Sequence, residues 1–479
     1  MSLKRKSAAA VIWNVITNGF SQLFSFLVFI LLARLMTVEE FGLVGFAFLV
    51  VEFVSIFLSI GVNQNLIRRA EWEDSFASSS HCILLLIAIA ISLFLVIVVS
   101  PLFYYLYSET SAYLIASLAV IPILESLRTS HLAKMQREFH NRQLAIISLS
   151  STTFGGSVSV VLAFMGFGAW SLVIGRISQS VFSAVITSLI SDFKANYQIK
   201  TEHVEEIRSF GTPLFMMAML TFFSGKTINL VVGAFYGASA FALLSMAKKG
   251  IQIFIDLSFK PINKILVATL ARVEDSERVD AFYRTVSIAA FAIVPAYLGL
   301  GAVAEPFIMF FVGEKWQSSI LLMTICCLGG PAAVMGYFLP NLMVASGVPK
   351  VALKLKITTL SFALLAPVLT IPYGIVAMMS ATVVSTYISL PIRFYFAAKH
   401  TNVSLKTTFI KTLPFSLSSL LMFAAVKLMY HTNVVSELNL IIQLFLGVFV
   451  GGATYIALMF IFCRAVLYRM INEIRSIKG

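Results

Sequence analysis

Residues 83–106 have the sequence ILLLIAIAISLFLVIVVSPLFYYL, which includes no charged side chain. About 20 apolar residues in a helix are enough to cross a hydrocarbon core of about 30 Å. This stretch is continuously apolar, whereas the strands of a membrane barrel alternate apolar and polar residues. It therefore predicts a transmembrane helix.

Stretches of the same kind cover most of the chain on both sides, about fourteen in all. The composition agrees, since 59% of the 479 residues are hydrophobic, 12% are charged and the mean hydropathy is +0.92. We expect an all-α polytopic membrane protein of about fourteen transmembrane helices, without a sizeable soluble domain. The stretches are 11–35, 41–67, 83–106, 113–132, 144–164, 168–191, 210–236, 238–264, 282–304, 318–346, 351–371, 373–397, 407–430 and 438–463.

Lys and Arg collect in every second gap between these stretches. Alternate gaps and the two tails, counted with the adjoining helix ends, hold 26 of the 35 basic residues, whereas only Arg34 and Lys315 are assigned to the opposite gaps. Basic residues accumulate on the cytoplasmic side of membrane proteins, and this rule explains the net charge of +13 better than a nucleic-acid partner does. Both termini are therefore predicted to be cytoplasmic, and no nucleic-acid partner is expected.

The chain shows a weak internal repeat. Phe41-Gly42-Leu43 opens the second predicted helix, and Phe241-Ala242-Leu243 opens the eighth at an offset of 200 residues. Gly166-Phe167-Gly168 precedes the sixth helix as Pro372-Tyr373-Gly374 precedes the twelfth. Because six helices per repeat is an even number, the two halves would be related by a pseudo-two-fold axis along the membrane normal. The predicted organisation is an N-lobe at 1–191, a cytoplasmic linker at 192–209, a C-lobe at 210–400, and two further helices with a cytoplasmic tail at 401–479.

Several charges fall inside the predicted helices. Arg176, Lys226, Lys249 and Glu52 lie about 8 to 11 residues from the outer ends of their helices, which is one layer at about 1.5 Å per residue. A charge near the membrane centre costs about 2.5–3.5 kcal/mol on insertion scales, so we expect these side chains to face a water-filled cavity. Three cations beside one carboxylate favour an anionic ligand. We predict that Arg176, Lys226 and Lys249 bind the phosphate of an amphiphile.

The eighth predicted helix carries further candidates for lining or gating the cavity. Lys249, Asp256 and Lys260 have the spacing i, i+7, i+11 and share one helical face. Lys260 either lines the cavity or reaches the cytoplasmic surface. Lys248 is adjacent to Lys249 and points elsewhere, so one of the two lysines is a candidate for a structural role.

The first and fourth predicted helices add polar faces. Glu125 and Arg128, at spacing i, i+3, are either cavity or gating residues or a local ion pair near the inner face. Asn14, Asn18 and Gln22 are spaced by four residues on the first helix. They either hydrogen-bond sugar hydroxyls in a wet cavity or bridge neighbouring helices.

No catalytic residue, metal site or cofactor is predicted. The six histidines are scattered, mostly near helix ends, and the adjacent pair Cys326-Cys327 lacks metal-ligand spacing. The chain also lacks a GxxxxGK[ST] phosphate-binding loop, which argues against direct ATP hydrolysis.

An ordered series of short motifs resembles the Wzx-type polysaccharide flippases over roughly residues 8 to 400. These flippases belong to the polysaccharide transporter family, in the multidrug/oligosaccharidyl-lipid/polysaccharide exporter superfamily. The last two predicted helices match only in being hydrophobic. The motifs are Leu31-Leu32-Ala33-Arg34-Leu35 with Glu39-Glu40-Phe41-Gly42, residues 132–145 with Arg137-Glu138-Phe139, residues 166–173 beginning Gly166-Phe167-Gly168, Ser209-Phe210-Gly211, residues 278–284, and Gly313-Glu314-Lys315-Trp316.

The resemblance implies two six-helix lobes plus two helices in the bacterial cytoplasmic (inner) membrane. It also implies flipping of undecaprenyl-pyrophosphate-linked oligosaccharide, with membrane lipid, a polysaccharide polymerase and a chain-length regulator as partners. One departure is visible, because relatives often carry an acidic residue where this chain has Ile228-Asn229. If that acid serves ion coupling in the relatives, coupling at this position differs here.

Two other functions fit the same pattern less well. A multidrug or cation antiporter shares the architecture, but a cationic cargo would favour acidic rather than basic cavity residues. A membrane-bound polysaccharide polymerase or ligase usually needs a large outer loop for its catalytic groups, and the outer loops predicted here are short.

Overall fold

The chain is helical throughout its described part. The computed structural model describes residues 3–58, 61–69, 71–255, 259–270, 273–274 and 276–462. The side chains of residues 3–18, 253, 254, 260, 261, 264, 265, 268, 433, 436 and 462 lie outside this description. No strand occurs among these residues, and the long apolar helices make the chain a multi-pass membrane protein. The all-α prediction is confirmed.

Most helices are membrane-length, and several are interrupted by short turns or breaks. The helices are α1 (Leu3–Leu35), α2 (Val38–Ser55), α3 (Val62–Arg68), α4 (Asp74–Phe94), α5 (Ser100–Leu106), α6 (Glu109–Leu118), α7 (Val120–Arg137), α8 (Asn141–Phe164), α9 (Ala169–Ile190), α10 (Thr201–Phe254), α11 (Lys260–Leu270), α12 (Arg278–Ala302), α13 (Ala304–Phe311), α14 (Ser318–Cys327), α15 (Gly330–Tyr337), α16 (Leu339–Ala345), α17 (Pro349–Leu369), α18 (Gly374–Ala398), α19 (Leu405–Tyr430), α20 (Asn433–Ser436) and α21 (Leu440–Phe462).

The predicted count of fourteen membrane helices stays a prediction. Among the described residues, eleven helices are long and apolar enough to cross a membrane, or twelve if the bent pair Ser318–Cys327 and Gly330–Ala345 is one span. The apolar part of α1 in this description is Gly19–Leu35, which is shorter than the other spans. One of the eleven, Thr201–Gln252, has 52 residues and contains a break in its backbone.

The break in α10 lies at Gly237, between the seventh and eighth predicted helices. Gly237 has φ 81° and ψ −175°, a backbone conformation that L-residues with a side chain rarely adopt. Glycine therefore permits a sharp change of direction here. At its other end α10 begins at Thr201, nine residues before the start that hydropathy predicts.

Two of the family-like motifs meet at one turn. The Thr37 hydroxyl accepts the backbone N–H of Glu40, and the Glu40 carboxylate accepts the N–H of Thr37, so together they form a capping box for α2. Gly168 (φ 49°) lies against the same carboxylate, because a Cβ there would be 2.2 Å from Glu40 Oε1. The close approach explains why the turn before α9 requires glycine.

The two matched repeat motifs also lie against each other. A Cβ on Gly42 would lie 1.9 Å from the Ala238 carbonyl oxygen, and a Cβ on Gly45 would lie 2.7 Å from the Phe241 ring. The ring centroids of Phe46 and Phe241 are 5.6 Å apart. The small residues of α2 therefore allow close packing at this point.

An ionic cluster fastens the start of α10 to the loop before α4. The Arg69 guanidinium donates to the carboxylates of both Glu73 and Glu206 and lies over the Phe76 ring, 3.6 Å from its centroid. The pKa of Glu73 is held below its ordinary value of 4.5, because Ser75 donates a hydrogen bond to the carboxylate and because Arg69 and His203 are nearby cations or potential cations. We call these residues the Arg69 cluster.

The chain divides into two compact units. The first comprises 1–222 and 237–242, and the second comprises 223–236 and 243–479. A core of the first unit packs Leu66, Phe76, Leu84 and Phe193. The boundaries predicted for the N-lobe, linker, C-lobe and C-terminal helices stay predictions.

Candidate functional site

Arg176 is a charged side chain in the middle of an apolar helix. It lies seven residues after Ala169, the first residue of α9, and its side chain is 43% exposed. Arg176 Nη1 donates to Gln179 Oε1 at 3.2 Å, and Arg176 Nη2 lies 3.8 Å from Glu125 Oε1. Its charge is thus only partly compensated, and the side chain is exposed within a membrane-length helix.

Arg176 lines a cavity between α7, α8 and α9, which we call the arginine cavity. Its volume is about 100 Å³. Arg128, the second arginine of the lining, donates from Nη1 to Ser183 Oγ at 2.8 Å. The lining holds two guanidinium groups against one carboxylate, so the cavity is net positive. The lining residues are Leu124, Glu125, Arg128, Ser148, Ser151, Thr152, Arg176, Gln179, Ser180 and Ser183.

Helical periodicity brings these polar groups together. On α9, Arg176, Gln179, Ser180 and Ser183 have the spacing i, i+3, i+4, i+7, which places them on one face. On α8, the lining residues Ser148, Ser151 and Thr152 have the spacing i, i+3, i+4. The structure thus brings together Arg176, Glu125 and Arg128, which the sequence predicted as cavity candidates, whereas the uncharged polar residues around them were not predicted. The same periodicity, applied to polar rather than charged residues, would have found them.

The hydroxyl groups of α8 leave acceptor capacity toward the cavity. Ser151 and Thr152 each donate to a backbone carbonyl one turn earlier in α8. Thr152 Oγ1 also accepts a hydrogen bond from Gln179 Nε2 at 3.4 Å. Because a hydroxyl has two lone pairs, such groups can bind water or sugar hydroxyls while their own donors are satisfied.

A second cavity of about 160 Å³ shares Arg176, Gln179 and Thr152 with the first. From α1 it is lined by Phe24, Ser25 and Val28. Gly155 of α8 and Gly175 of α9 also line it, and a Cβ on Gly155 would lie 2.7 Å from the Gly175 carbonyl oxygen. The glycines therefore let α8 and α9 approach closely, and Arg176 projects where the two cavities adjoin.

The other residues predicted in the first unit are placed less specifically. Glu52 is exposed on α2, and Gln22 is half-buried on α1. The side chains of Asn14 and Asn18 lie outside the described residues. A sugar-facing role of this polar face therefore stays a prediction.

Among the predicted lysines of the second unit, Lys248 hydrogen-bonds a buried asparagine, and a structural role for it stays a prediction. Lys248 Nζ donates to Asn229 Oδ1 at 2.8 Å, and Asn229 is buried. Lys226 and Lys249 are half-buried. Asp256 and the Lys260 side chain lie outside the described residues. The joint action of Arg176, in the first unit, with Lys226 and Lys249, in the second, stays a prediction.

Arg393 is a buried cation that the sequence analysis assigned to a cytoplasmic gap. It lies on α18 and is 8% exposed, and its Nη2 donates to the Gly336 carbonyl at 2.6 Å. Its Nε has no hydrogen-bond partner among the described residues. Arg393 lies inside both the predicted stretch 373–397 and α18, so it belongs to the helix rather than to the gap with which it was counted.

Sequence comparison identifies the family. A profile described as "Polysaccharide biosynthesis protein" matches residues 31–321, which is more than half of the chain. The chain belongs to this family. Among its relatives, the succinoglycan biosynthesis transport protein ExoT of Rhizobium meliloti (strain 1021) is 22% identical over 97% of this chain and 95% of its own length. The lipopolysaccharide biosynthesis protein WzxC of Escherichia coli (strain K12) is also 22% identical, over 74% of this chain and 73% of its own.

Solved structures show that this member of the family has a fold similar to those of a lipid II flippase and a MATE transporter. An inward closed conformation of the lipid II flippase MurJ matches with a TM-score of 0.75 at 17% identity, covering 95% of this chain and all of that one. An inward-facing multidrug resistance MATE transporter matches with a TM-score of 0.61 at 14% identity, covering 87% and 99%. The predicted resemblance and fold class are confirmed.

Proposed function

We propose that this protein flips undecaprenyl-pyrophosphate-linked oligosaccharide repeat units from the cytoplasmic to the periplasmic leaflet by alternating access. Such flipping would supply exopolysaccharide or O-antigen synthesis. Family membership supports a role in polysaccharide biosynthesis, and the relatives include a protein named for succinoglycan transport.

The arginine cavity is the observation that carries the proposal. Arg176 and Arg128 line it from two candidate membrane spans, and Glu125 is the one carboxylate in the lining. A pyrophosphate would add the missing negative charge, and a planar guanidinium can donate two parallel hydrogen bonds to phosphate oxygens. Serine and threonine hydroxyls around the arginines suit the sugar next to the pyrophosphate.

Other predicted residues complete the proposed path. We assign Lys226 and Lys249 to the pyrophosphate together with Arg176, and Asn14, Asn18 and Gln22 to the sugar. The polyprenyl tail stays in membrane lipid while the polar head crosses. An inside-negative potential favours outward movement of an anion by about 2.3 kcal/mol per charge per 100 mV.

Orientation and location follow the distribution of basic residues. We propose that the protein lies in the bacterial cytoplasmic membrane with both termini in the cytoplasm. A polysaccharide polymerase and a chain-length regulator would receive the flipped repeat unit. Neither a bound cofactor nor catalytic groups are required for this activity.

A multidrug or cation antiporter is the alternative within the same fold. Its cargo would be positively charged, and a cavity with two arginines and one glutamate would repel it. The sign of the cavity therefore favours an anionic cargo. A polymerase or ligase is disfavoured by the relatives, which include a named transport protein rather than a named synthase.

Reconstituted transport tests the proposal. The purified protein would be placed in proteoliposomes, and the initial rate of transbilayer movement of a fluorescent undecaprenyl-pyrophosphate-linked sugar would be measured. Charge-assisted hydrogen bonds contribute about 1.5–3 kcal/mol, so Arg176→Ala should slow transport at least about tenfold. The matched control is Arg208→Ala, because Arg208 is 75% exposed and its one ion-pair partner among the described residues is exposed Glu205.

Two results would reject the proposed function. One is an absence of sugar-lipid movement by the folded wild-type protein, and the other is equal transport by wild type and a well-folded Arg176→Ala variant. Arg208→Ala should transport at the wild-type rate, since Arg208 is not among the residues that line the cavity and its exposed ion pair contributes little to stability.

A further inference from the structure

The segment between α9 and α10 alternates polar and apolar residues along its length. Residues 192–200 have the sequence DFKANYQIK and form no helix. Successive side chains of an extended chain point to opposite sides, so a two-residue period gives this segment one polar and one apolar face.

The apolar face is anchored in the first unit. Phe193 is 3% exposed and belongs to a core that includes Leu66 and Phe76, and Ala195 packs against the same core. The Trp72 ring lies edge-on to Phe193 with 5.9 Å between the centroids. Phe193 and Ala195 therefore fix the first half of the segment in place, whereas Tyr197 and Ile199 are exposed.

The even-numbered residues line a pocket of about 320 Å³, which we call the linker pocket. Its other walls are the first turns of α4 and Lys134 near the end of α7. The pocket is lined by Asp74, Ser75, Ser78, Ser79, Lys134, Asp192, Lys194, Asn196, Gln198 and Lys200.

Serine hydroxyls clamp the segment onto α4. The Asn196 backbone N–H donates to Ser78 Oγ at 3.0 Å, and the Lys200 backbone N–H donates to Ser79 Oγ at 3.3 Å. Ser79 Oγ in turn donates to the Gln198 carbonyl at 3.1 Å. The linker thus forms a defined wall of the pocket, with its side chains presented from a fixed backbone.

Two lysines of the linker pocket have no ion-pair partner among the described residues. Asp74 accepts a hydrogen bond from Trp72 Nε1 at 2.7 Å, and Lys134 Nζ lies 5.6 Å from the centroid of the Trp72 ring. Within the described part of the chain, Lys194 and Lys200 form no ion pair. Three lysines against two carboxylates give the pocket a net positive charge.

The pocket lies where two membrane helices begin and end. Asp74 is the first residue of α4, and Lys134 is three residues before the end of α7. Both helices belong to candidate membrane spans, and the distribution of basic residues puts these ends on the cytoplasmic side. A lipid phosphate in the cytoplasmic leaflet would lie at the same height as the lysines.

We propose that the linker pocket binds the phosphate-bearing head group of a lipid in the cytoplasmic leaflet. Lys194 and Lys200 supply the charge, and the side-chain amides of Asn196 and Gln198 supply neutral hydrogen-bond donors. The head group comes either from an anionic phospholipid or from the lipid-linked pyrophosphate, and the second source rests on the proposed function.

The position of the pocket suits the loading of a substrate. Lys134 and Arg128 are six residues apart on α7, which is about 9 Å along a helix. Arg128 lines the arginine cavity and Lys134 lines the linker pocket. A pyrophosphate released from the pocket would therefore meet the next cationic site after less than two helical turns.

Lipid binding to the full-length protein tests the proposal. Native mass spectrometry in detergent would follow titrations with undecaprenyl pyrophosphate, with phosphatidylglycerol and with inorganic pyrophosphate. Lys194→Gln combined with Lys200→Gln should weaken lipid binding about tenfold, the loss expected for charge-assisted contacts to phosphate. Lys350→Gln combined with Lys354→Gln is the matched control, because it removes the same charge from exposed lysines of another predicted cytoplasmic segment.

Each outcome decides the proposal. A selective loss of undecaprenyl pyrophosphate binding supports the pocket with the substrate as its source, and a selective loss of phosphatidylglycerol binding supports it with the phospholipid. Equal lipid binding by both double variants, or effects confined to inorganic pyrophosphate, would overturn it. If wild type transports the lipid-linked sugar but the Lys194→Gln, Lys200→Gln variant binds lipid as tightly as wild type, the pocket is rejected and the proposed function still stands.

Discussion

Glu125 is the residue that moderates the charge of the arginine cavity. Its carboxylate lies 3.8 Å from Arg176, and its side chain is 37% exposed. Solvent screening limits an ion pair of this exposure to about 0–1 kcal/mol. Breaking the ion pair between Glu125 and Arg176 therefore costs little free energy when a phosphate binds Arg176. This suits a site that must bind and then release its cargo.

Neutralising Glu125 should strengthen anion binding. Without the carboxylate, Arg176 loses a competing partner, so Glu125→Gln should tighten binding of undecaprenyl pyrophosphate by up to about fivefold. Equilibrium binding of this lipid to the purified variant checks the effect. Glu205→Gln, which removes an exposed carboxylate outside the cavity, should leave binding unchanged. Weaker binding by Glu125→Gln would show that Glu125 contacts the ligand or supports the fold.

Sequence patterns located the charged residues of the cavity but not their partners. Glu125 and Arg128 were candidates for a local pair because they are three residues apart. In the structure Glu125 instead pairs with Arg176, and Arg128 donates to Ser183. Spacing along one helix shows which side chains share a face, whereas the neighbouring helix decides which contact forms. Lys248 shows the same limit, since its partner Asn229 is 19 residues away.

At the scale of elements, the approach of α8 to α9 positions Arg176. Gly175 precedes Arg176, and a Cβ there would lie 1.8 Å from Ser159 Oγ and 2.7 Å from the Gly155 carbonyl oxygen. Gly175→Ala should therefore force the two helices apart and destabilise the protein by about 1–3 kcal/mol. The midpoint of thermal unfolding in detergent measures this loss.

A second glycine provides the control for this experiment. Gly452 lies within α21, and a Cβ there would meet nothing within 4 Å. Gly452→Ala should leave the unfolding midpoint unchanged or raise it, because alanine has the higher helix propensity. A Gly175→Ala variant as stable as Gly452→Ala would contradict the close packing of α8 and α9.

The Arg69 cluster makes the attachment of α10 depend on pH. The pKa of Glu73 is lower in the folded protein than its ordinary value of 4.5, so the unfolded state takes up a proton more readily as the pH falls. The stabilisation is complete above about pH 4.5 and is lost as the pH drops through the folded pKa. Thermal unfolding should show a falling midpoint in this acidic range.

Removing the titrating group should flatten that response. In Glu73→Gln the midpoint should already be lower at neutral pH, and it should fall less on acidification than in wild type. Glu71→Gln, at an exposed neighbouring carboxylate, should keep the wild-type profile. An acid response that is the same in Glu73→Gln and wild type would exclude Glu73 as the group responsible.

Hydropathy predicted the elements well where the chain is apolar and less well where it is polar. The predicted separation of the seventh and eighth helices coincides with the backbone break at Gly237. The predicted linker at 192–209 was treated only as a polar gap. It contains the alternating segment 192–200 and the first turns of α10, whose contacts come from α4 and from the loop before it. A hydropathy window averages over many residues, so it reveals neither the alternation at 192–200 nor the polar first turns of α10.

At the scale of the whole molecule, charge distribution and transport direction are linked. In the proposed orientation, the linker pocket lies on the cytoplasmic side, where a lipid-linked sugar would be loaded. The arginine cavity is reached further along α7. A substrate moving outward would pass from the pocket to the cavity, and the membrane potential would favour the movement of its negative charge.

Reporter fusions test the orientation on which this direction depends. Green fluorescent protein fluoresces when it remains in the cytoplasm, whereas alkaline phosphatase is active after export. A fusion after Lys399 should be fluorescent and lack phosphatase activity, and a fusion after Lys315 should show the reverse, because the two positions lie in gaps of opposite predicted side. Matching expression of each pair of fusions provides the control. The opposite pattern at both positions would mean that the true orientation is the reverse of the predicted one and that the linker pocket lies outside. If both positions report the same side, the number of membrane spans between them is even.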